Sequence, residues 1–542
     1  MAKTNTMNKN TIAKIVLTLA TFFSATLIYG QNPYLPLWEY IPDSEPYVFE
    51  DPDKPGEYRV YIYGSHDSLI KEYCGREQVT WSAPVNDLTA WRYDGVIFKS
   101  IYDRDGNPLN PDGKGDILYA PDIVEKTGPD GRKTYYLYPN NQADGRKNMV
   151  AVSDRPDGPF KACNWSDEDP QKTTGPLDFD PGVFIDDDGR VYAYWGFEKS
   201  WAGELDPTTM STLKPGTKAI GNLVSNKYQD GIFRFFEASS IRKIEDKYVF
   251  IYSRWTNDGE FGLKDTNYTL AYAYSDNPLG PFTYGGTIID GRGRDTDGNG
   301  NVIYTAHPTG NTHGSIVGIN GQWWVFYHRQ TGTDEFARQA MVAPIQVTVE
   351  KGKGGKVTIS EGEYTSEGFA TDGLNPLHKT PAGIACYYTG PEPAYNDYPR
   401  FIFSGSYIRP TYLTADGTEG PYNQKQPFCP VVNNTDGSIV GYKYFNFSRI
   451  EKIDNVGIVL HLIPKGIDGR IKIMTGSPYP AKGGRMIGTI DISGNDAQQL
   501  IGKRTRVSIP ETGHKQALFF VFESPVKESS ICDIYDFQFT VQ

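Results

Sequence analysis

Residues 190–198 read RVYAYWGFE, a short aromatic strand that ends in a polar break. Four similar stretches occur elsewhere in the chain: RVYIYGSHD at 59–67, TYYLYPNN at 134–141, KYVFIYSRW at 247–255 and QWWVFYHRQ at 322–330. Their β-branched and aromatic residues are typical of strands. Successive copies lie 75, 57, 57 and 75 residues apart when they are aligned on Tyr63, Tyr138, Trp195, Tyr252 and Tyr327. A repeat of this size indicates the blades of a β-propeller, here with five blades.

The rest of the chain also favours an all-β fold. A second repeated stretch, SDRPDGPF at 153–160 and SDNPLGPF at 275–282, predicts matching turns in two blades. We therefore expect a propeller over residues 31–370, closed by strands between 340 and 370. Residues 371–400 are rich in Pro, Gly and Asn and predict a linker or a packed connection.

The last part of the chain has a different pattern. Alternating strands such as VGIVLHLI at 456–463, RVSI at 506–509 and QALFFVFE at 516–523 are separated by Gly-rich turns. This spacing predicts a β-sandwich, jelly-roll-like, over residues 401–542.

The N-terminal segment is typical of a signal peptide. Lys9 and Lys14 precede an uncharged apolar run of 14 residues from Ile15 to Ile28, which is short for a membrane span. We expect residues 1–30 to be removed and the protein to be exported to the periplasm or the extracellular space. No later segment has the length and apolarity of a membrane span, and we expect a monomer.

Charge and cysteine content restrict the possible partners. The formal net charge of −12 argues against nucleic acid as a ligand, because phosphates require Lys and Arg. The five cysteines are odd in number and show no metal-ligand spacing. Cys386, Cys429 and Cys532 fall in one half of the chain and could include one disulfide bond.

Three acidic motifs precede repeated strands at matching places. They are PDSEPYVF at 42–49 with Asp43 and Glu45, LDFDPGVF at 177–184 with Asp180, and FEASSIRK at 236–243 with Glu237. Innermost propeller strands converge on a central channel, so these acids are expected to face one pocket. Cleavage of a glycosidic bond needs one carboxylic acid to protonate the leaving oxygen and one carboxylate to activate water or attack carbon. A third carboxylate can raise the pKa of the acid.

These motifs resemble those of glycoside hydrolase family 43, which are five-bladed propellers. Two of that family's acidic motifs are matched by DPGVF at 180–184 and by the stretch from Glu237. Two further motifs of the family are matched by LYAPDIV at 118–124 and HGSIVGING at 313–321. The resemblance covers roughly residues 35–365. It implies that Glu237 is the general acid, that Asp180 tunes its pKa, and that an aspartate of the first motif is the general base.

The first motif departs from the pattern of the family. Alignment on the proline places Glu45 at the position of the base, whereas alignment on the aspartate places Asp43 there. Both alignments stay open from the sequence alone.

The resemblance also suggests substrate-binding residues. We expect His66, Trp81, Trp255, His313 and Arg338 to line the sugar site. His313 is the candidate ligand of a calcium ion at the propeller centre, although no cofactor is expected to be required.

The C-terminal part resembles a carbohydrate-binding module of family 6. Tyr422, Tyr479 and Tyr535 are candidate sugar platforms on its loops. A purely structural sandwich that supports the propeller is the alternative.

The resemblance implies an exo-acting, inverting hydrolase that removes α-L-arabinofuranosyl or β-D-xylosyl residues from plant polysaccharides. Alternatives are a β-galactosidase or β-galactofuranosidase of the same family, and a sugar-binding propeller without activity. The fructosyl hydrolases, another propeller class, are disfavoured because their N-D-P-N-G motif does not occur in the chain.

Overall fold

The computed structural model of the protein describes residues 30–69, 72–229, 231–411, 429–450, 455–509 and 515–541. The predicted signal peptide therefore lies outside the described residues, except for Gly30. None of the helices in these ranges is both long and apolar enough to cross a membrane.

The first four blades are antiparallel sheets of four strands each, in which neighbours along the chain are neighbours in the sheet. Blades one and two contain β1 (Glu45–Glu50), β2 (Tyr58–Tyr63), β3 (Gln78–Pro84), β4 (Arg92–Phe98), β5 (Asp122–Thr127), β6 (Lys133–Tyr138), β7 (Ala151–Ser153) and β8 (Lys161–Ala162). Blades three and four contain β9 (Gly182–Ile185), β10 (Val191–Trp195), β11 (Trp201–Leu205), β12 (Ile220–Gly221), β13 (Phe235–Ile244), β14 (Lys247–Arg254), β15 (Thr269–Ser275) and β16 (Thr283–Asp290).

A short hairpin, β17 (Asp295–Thr296) and β18 (Val302–Ile303), leads to the fifth blade. That blade contains β19 (Ser315–Ile319), β20 (Gln322–Arg329) and β21 (Gln339–Ile345) and is followed by the paired strands β22 (Val347–Val349) and β23 (Val357–Ile359). The five aromatic repeats form β2, β6, β10, β14 and β20, the second strand of each blade. The five-bladed propeller predicted from them is confirmed.

The N-terminal residues close the ring. The Asn32 side-chain amide donates to the carbonyl of Val342 on β21 at 2.7 Å, and its oxygen accepts from the Val342 N–H at 3.0 Å. The Tyr34 N–H donates to the carbonyl of Ala340 at 3.4 Å. Closure was expected from strands between residues 340 and 370, and the start of the chain adds hydrogen bonds to β21.

Two further sheets follow the propeller and form a sandwich. Their strands, with one separate hairpin β26–β27, are β24 (Thr380–Pro381), β25 (Tyr387–Thr389), β26 (Tyr395–Asp397), β27 (Arg400–Ile402), β28 (Tyr407–Ile408), β29 (Val431–Val432), β30 (Ile439–Asn446), β31 (Val456–Pro464), β32 (Gly469–Thr475), β33 (Arg485–Ile492), β34 (Ile501–Arg506), β35 (Lys515–Glu523) and β36 (Cys532–Val541). One sheet has the order β28-β29-β36-β31-β34, with β24 paired to β36, and the other has the order β25-β30-β35-β32-β33. The strand predicted at 506–509 is displaced, since β34 ends at Arg506.

Helical structure in the described residues is confined to single 3-10 turns. These turns are Glu260–Gly262, Ala382–Ile384, Phe447–Arg449 and Pro480–Lys482. All five cysteines are free, so the disulfide considered for the C-terminal half is not present.

Propeller and sandwich share one apolar core. Val249 and Val325 of blades four and five belong to the same buried cluster as Phe520 and Phe537 of the sandwich. The fully buried guanidinium of Arg329 on β20 also donates to the carbonyl of Ala385 at 2.7 Å. The segment 371–400, expected to be a linker or packed connection, contributes strands to both sandwich sheets as well as the β26 strand of the hairpin.

Candidate active site

A cavity of about 390 Å³ lies where all five blades meet. We call it the central cavity; its lining includes Asp43, Asp180, Glu237, Trp255, His313 and Arg338. Each blade supplies residues near the start of its inner strand. The structure thus brings together the three acidic motifs that the sequence placed at matching points.

Asp43 and Asp180 occupy equivalent places in blades one and three. Each lies two residues before its inner strand, and each has a left-handed backbone, with φ of 61° and 48°. Aspartate tolerates this conformation better than most residues. The same local turn therefore carries both carboxylates into the cavity.

Glu237 is positioned by a β-bulge. The pairing of β13 with β14 shifts on both sides of Glu237, and the following Ala238 has a φ of 68°. A bulge of this kind re-aims a side chain that a regular strand would direct elsewhere. It also brings the Ala238 N–H to 3.1 Å from Asp180 Oδ2, to which it donates.

Asp43 is held as a carboxylate. Ser65 Oγ donates to its Oδ2 at 2.5 Å, and Arg338 donates to both oxygens at 3.2 and 3.3 Å. Burial alone would raise the pKa of Asp43, but the Arg338 guanidinium leads the neighbouring groups that hold it below its usual value. His328 accepts from the Asp43 N–H through Nδ1 and donates from Nε2 to the Asn311 carbonyl, a pattern that requires the neutral imidazole.

His313 lies between carboxylates. Its Nδ1 is 3.6 Å from Asp180 Oδ2, and its Nε2 is 3.8 Å from Glu45 Oε1. Burial alone would lower the pKa of His313, but Glu45, Asp180 and Asp43 raise it to about 9. A buried imidazolium therefore offsets part of the negative charge of the site.

Glu237 has the opposite environment to Asp43. Burial first, and then the charge of Asp180, raise the pKa of Glu237 well above its usual value. Burial also raises the pKa of Asp180 to about 6, although His313 acts against it. The cavity thus combines one carboxyl group whose pKa is raised, that of Glu237, with one whose pKa is lowered, that of Asp43.

The structure places Glu45 beneath the central cavity, outside its lining. Glu45 Oε2 accepts from Arg242 at 2.7 Å and from Ser240 Oγ at 3.2 Å. Burial alone would raise the pKa of Glu45, but Arg242 leads the groups that lower it. As the first residue of β1, Glu45 is equivalent to Asp122 at the start of β5, whose carboxylate accepts from the Val183 N–H at 2.6 Å. Asp122 is thus tied to the neighbouring blade three, and Glu45 is tied across the ring to blade four.

Arg338 has a second anchor that the sequence analysis missed. Buried Asp67 accepts from Arg338 Nε at 2.9 Å and from its Nη2 at 2.8 Å. This fork fixes the guanidinium while Nη1 remains directed at Asp43. Asp67 ends the first aromatic repeat, directly after His66, but no pattern in the sequence distinguishes it from a turn residue.

Aromatic rings form a continuous ridge on the cavity lining. Successive ring centroids lie 6.3, 5.3, 5.1 and 5.6 Å apart along Tyr119, Phe179, Phe197, Phe236 and Trp255. Only Trp255 was among the predicted sugar-binding residues. Its buried indole N–H has no hydrogen-bond partner in the described part of the chain. Phe179 and Phe236 could have been found from their positions next to Asp180 and Glu237.

Two predicted sugar-binding residues lie elsewhere. Trp81 is 5% exposed, packs in the core of blade one and donates from its indole N–H to Glu39 at 2.9 Å. His66 is buried with its Nε2 3.3 Å from the Glu39 carboxylate and its Nδ1 3.6 Å from that of Glu77. Their placement corrects the prediction that they line the cavity, because the polar ends of both side chains turn towards Glu39.

The donor set does not fit the calcium ion considered near His313. The described ranges contain no group of three or more His, Cys, Asp or Glu side chains arranged to hold a metal. Both ring nitrogens of His313 face carboxylates, and its raised pKa makes it a cation. Calcium prefers several oxygen ligands, and a neighbouring imidazolium repels it.

The cavity also receives residues from beyond the propeller, which the sequence analysis missed. Asn396 of the β26–β27 hairpin and Tyr398 at its turn contribute to the lining, together with Tyr73 and Glu335 of the propeller. Tyr73 donates from its hydroxyl to Glu335. The Pro-rich composition around the hairpin predicted a connection and gave no signal of a site.

Of the other predicted sugar platforms, Tyr479 lies at a separate cavity of about 840 Å³ between the propeller and the sandwich. Tyr535 accepts from Arg409 at 3.4 Å. Tyr422 lies outside the described residues.

Comparisons with known proteins agree with the geometry. The model of the glycosyl hydrolases family 43 matches residues 56–351. A xylosidase/arabinosidase of Thermoclostridium stercorarium is 36% identical over 444 residues, which cover 78% of this chain and 84% of the relative. A β-xylosidase of Xylanibacter ruminicola is 30% identical and covers 45% of this chain and 81% of its own length. A solved arabinoxylan arabinofuranohydrolase of Bacillus subtilis covers 94% of this chain and 97% of its own, at 20% identity and a TM-score of 0.43, a similarity too low to carry weight.

Proposed function

Because the chain belongs to the glycosyl hydrolases of family 43, an enzyme class that cleaves glycosidic bonds, we propose that it removes single α-L-arabinofuranosyl or β-D-xylosyl residues from plant polysaccharides or oligosaccharides with inversion of configuration. The names of its relatives support these two sugars. The family match and the carboxyl groups on the cavity lining count against a propeller that only binds sugar.

One observation carries the mechanism: Asp43 and Glu237 line one cavity from different blades, and their surroundings shift the pKa values of the two carboxyl groups in opposite directions. The pKa of Asp43 is lowered, and the pKa of Glu237 is raised. Such a pair supplies a base and an acid at the same pH. We therefore assign the base to Asp43 and the acid to Glu237.

In the proposed reaction, Asp43 takes a proton from a water molecule as that water attacks the anomeric carbon. Glu237 gives its proton to the leaving oxygen. Arg338 keeps Asp43 ionised, and Asp180 keeps Glu237 protonated until the bond breaks. Glu45 holds His313 and Arg242 in place without contact to the sugar.

A panel of aryl glycosides and natural oligosaccharides tests this function. We expect the wild type to release arabinose or xylose, and nuclear magnetic resonance to show that the first product has the inverted anomeric configuration. Glu237→Gln should lose activity on oligosaccharides, but less on aryl glycosides whose leaving group needs no proton. Release of galactose alone, or a first product of retained configuration, would contradict the proposal.

Three finer properties complete the proposal. The lysines and apolar run of residues 1–30 support export. The pairing of two β-sheets supports the resemblance of the C-terminal part to a carbohydrate-binding module. We also expect a monomer, which light scattering would test.

A further inference from the structure

The β26–β27 hairpin belongs to the C-terminal part of the chain, yet its tip lies on the lining of the central cavity. Asn396 pairs with Phe401 within the hairpin, and Tyr398 lies in the turn between the strands. Tyr398 is 70% exposed. Ligand pockets are lined mainly by apolar and aromatic side chains, and Tyr398 adds such a ring to the lining of this cavity.

The base of the hairpin is fixed to the propeller. Phe401 is buried, and its ring meets that of His307 at a centroid distance of 4.6 Å. The Phe401 N–H donates to the carbonyl of Thr333 at 3.0 Å, and Arg400 forms a β-bridge with Asp334. The hairpin is thus attached to the loop that carries Arg338, so its tip has a defined position relative to the acids.

The depth of the acidic residues in the cavity indicates which part of a substrate the hairpin tip contacts. Asp43, Asp180 and Glu237 are at most 6% exposed, so the bond to be cleaved lies at the bottom of the cavity. An exo-acting enzyme places one terminal sugar at that depth. Residues at the exposed mouth then face the part of the substrate beyond the cleaved bond.

We infer that Asn396 and Tyr398 form an acceptor subsite, which binds the sugar on the leaving-group side of the cleaved bond. The phenol ring of Tyr398 offers an apolar face to a sugar ring, and the Asn396 amide offers a donor and an acceptor to hydroxyls. This inference rests on the proposed function. It makes the C-terminal part of the chain a determinant of which glycosides are cleaved.

The experiment compares two substrates that carry the terminal sugar identified by the panel. One is the glycosyl fluoride, which has no leaving sugar, and the other is an oligosaccharide. For Tyr398→Ala we expect kcat/KM on the oligosaccharide to fall about tenfold more than on the fluoride, because only the former loses a contact. Asn396→Ala should shift the ratio in the same direction.

Tyr395→Ala is the matched control, since Tyr395 is an exposed tyrosine of the same hairpin outside the cavity lining. It should leave the ratio of the two substrates as in the wild type. Equal losses on both substrates for Tyr398→Ala, or the same shift for Tyr395→Ala, would overturn the inference. Melting temperatures of all variants report whether the hairpin still docks.

A binding measurement separates this inference from the proposed function. In the Glu237→Gln background, calorimetry tests an arabino-oligosaccharide and a xylo-oligosaccharide. The one that Glu237→Gln binds should bind about tenfold more weakly after Tyr398→Ala, with a smaller change for its monosaccharide. If the wild type hydrolysed neither substrate, the proposed function would fail, and the calorimetry would still decide about the subsite. Unchanged oligosaccharide affinity would overturn it.

Discussion

Asp43 and Glu45 are two residues apart but have different surroundings, and substitution should separate their roles. Asp43→Asn removes the proposed base from the cavity lining, so we expect turnover to fall by about 10²–10⁴-fold with little loss of stability. Glu45→Gln leaves the buried guanidinium of Arg242 without its carboxylate. It should destabilise the fold by roughly 3–5 kcal/mol, because an uncompensated buried charge remains.

Kinetics on the folded fraction and chemical denaturation measure the two effects. Added azide should restore turnover to Asp43→Asn, because this anion attacks the anomeric carbon in place of water without needing a base and gives the glycosyl azide, and it should not restore Glu45→Gln. The opposite pattern would assign the base to Glu45.

Asp180 should act through the pKa of Glu237. The general acid works in its protonated form, so activity is present below the pKa of Glu237 and is lost as the pH rises through it. Asp180→Asn removes a negative charge that raises this pKa, and the alkaline limb of the pH–rate profile should move to lower pH. The control is Asp178→Asn in the same motif, because the Asp178 side chain is 52% exposed and paired with Lys147. A limb that stays in place for Asp180→Asn would exclude this role.

At the scale of elements, Gly314 fixes the start of the inner strand of blade five. A Cβ atom at Gly314 would lie 1.9 Å from the carbonyl oxygen of Phe326 on β20. Gly314→Ala should therefore push β19 away from β20 and displace the neighbouring His313. We expect a loss of roughly 1–3 kcal/mol in the free energy of unfolding, measured by chemical denaturation, together with lower activity.

Gly318→Ala on the same strand provides the comparison. A Cβ atom there would meet only the side chain of Trp323, at 3.3 Å or more, which can adjust. If both variants were equally stable, tight packing at the start of β19 would not be what fixes His313.

The blades and the two later acidic motifs could be predicted because each is local in the sequence. An aromatic strand such as 190–198 and a motif such as that around Asp180 carry their pattern within about ten residues. The base could not be chosen between Asp43 and Glu45, since spacing does not show that Arg242 takes the second carboxylate. The hairpin residue Tyr398 could not be found either, because only tertiary packing brings it to the cavity. The nearest propeller residue of the lining in sequence, Arg338, is about 60 residues away.

At the scale of the whole molecule, the shared core should make propeller and sandwich unfold together. All nine tryptophans lie between residues 38 and 324, so their fluorescence reports on the propeller alone. Phe520 of the sandwich is fully buried in the shared cluster. Phe520→Ala should cost roughly 3–5 kcal/mol and should lower the temperature of the tryptophan transition, although no tryptophan lies in the sandwich.

Leu500→Ala, at a side chain that is 55% exposed, should leave that transition in place. Two separate transitions in calorimetry, with the tryptophan signal unmoved by Phe520→Ala, would show that the two parts unfold independently.

The closure of the ring by Asn32 has a consequence for the order of events during synthesis. Asn32 and its partner Val342 are 310 residues apart. At a translation rate of about 5–20 residues per second, Asn32 waits roughly 15–60 s before its partner has been made. The earlier blades can form their internal pairs in that time, but the ring stays open until blade five is complete. The shape that brings the acidic residues of separate blades together is thus reached only after residue 342, and a chain that ends before that residue has no partner for Asn32 with which to close the ring.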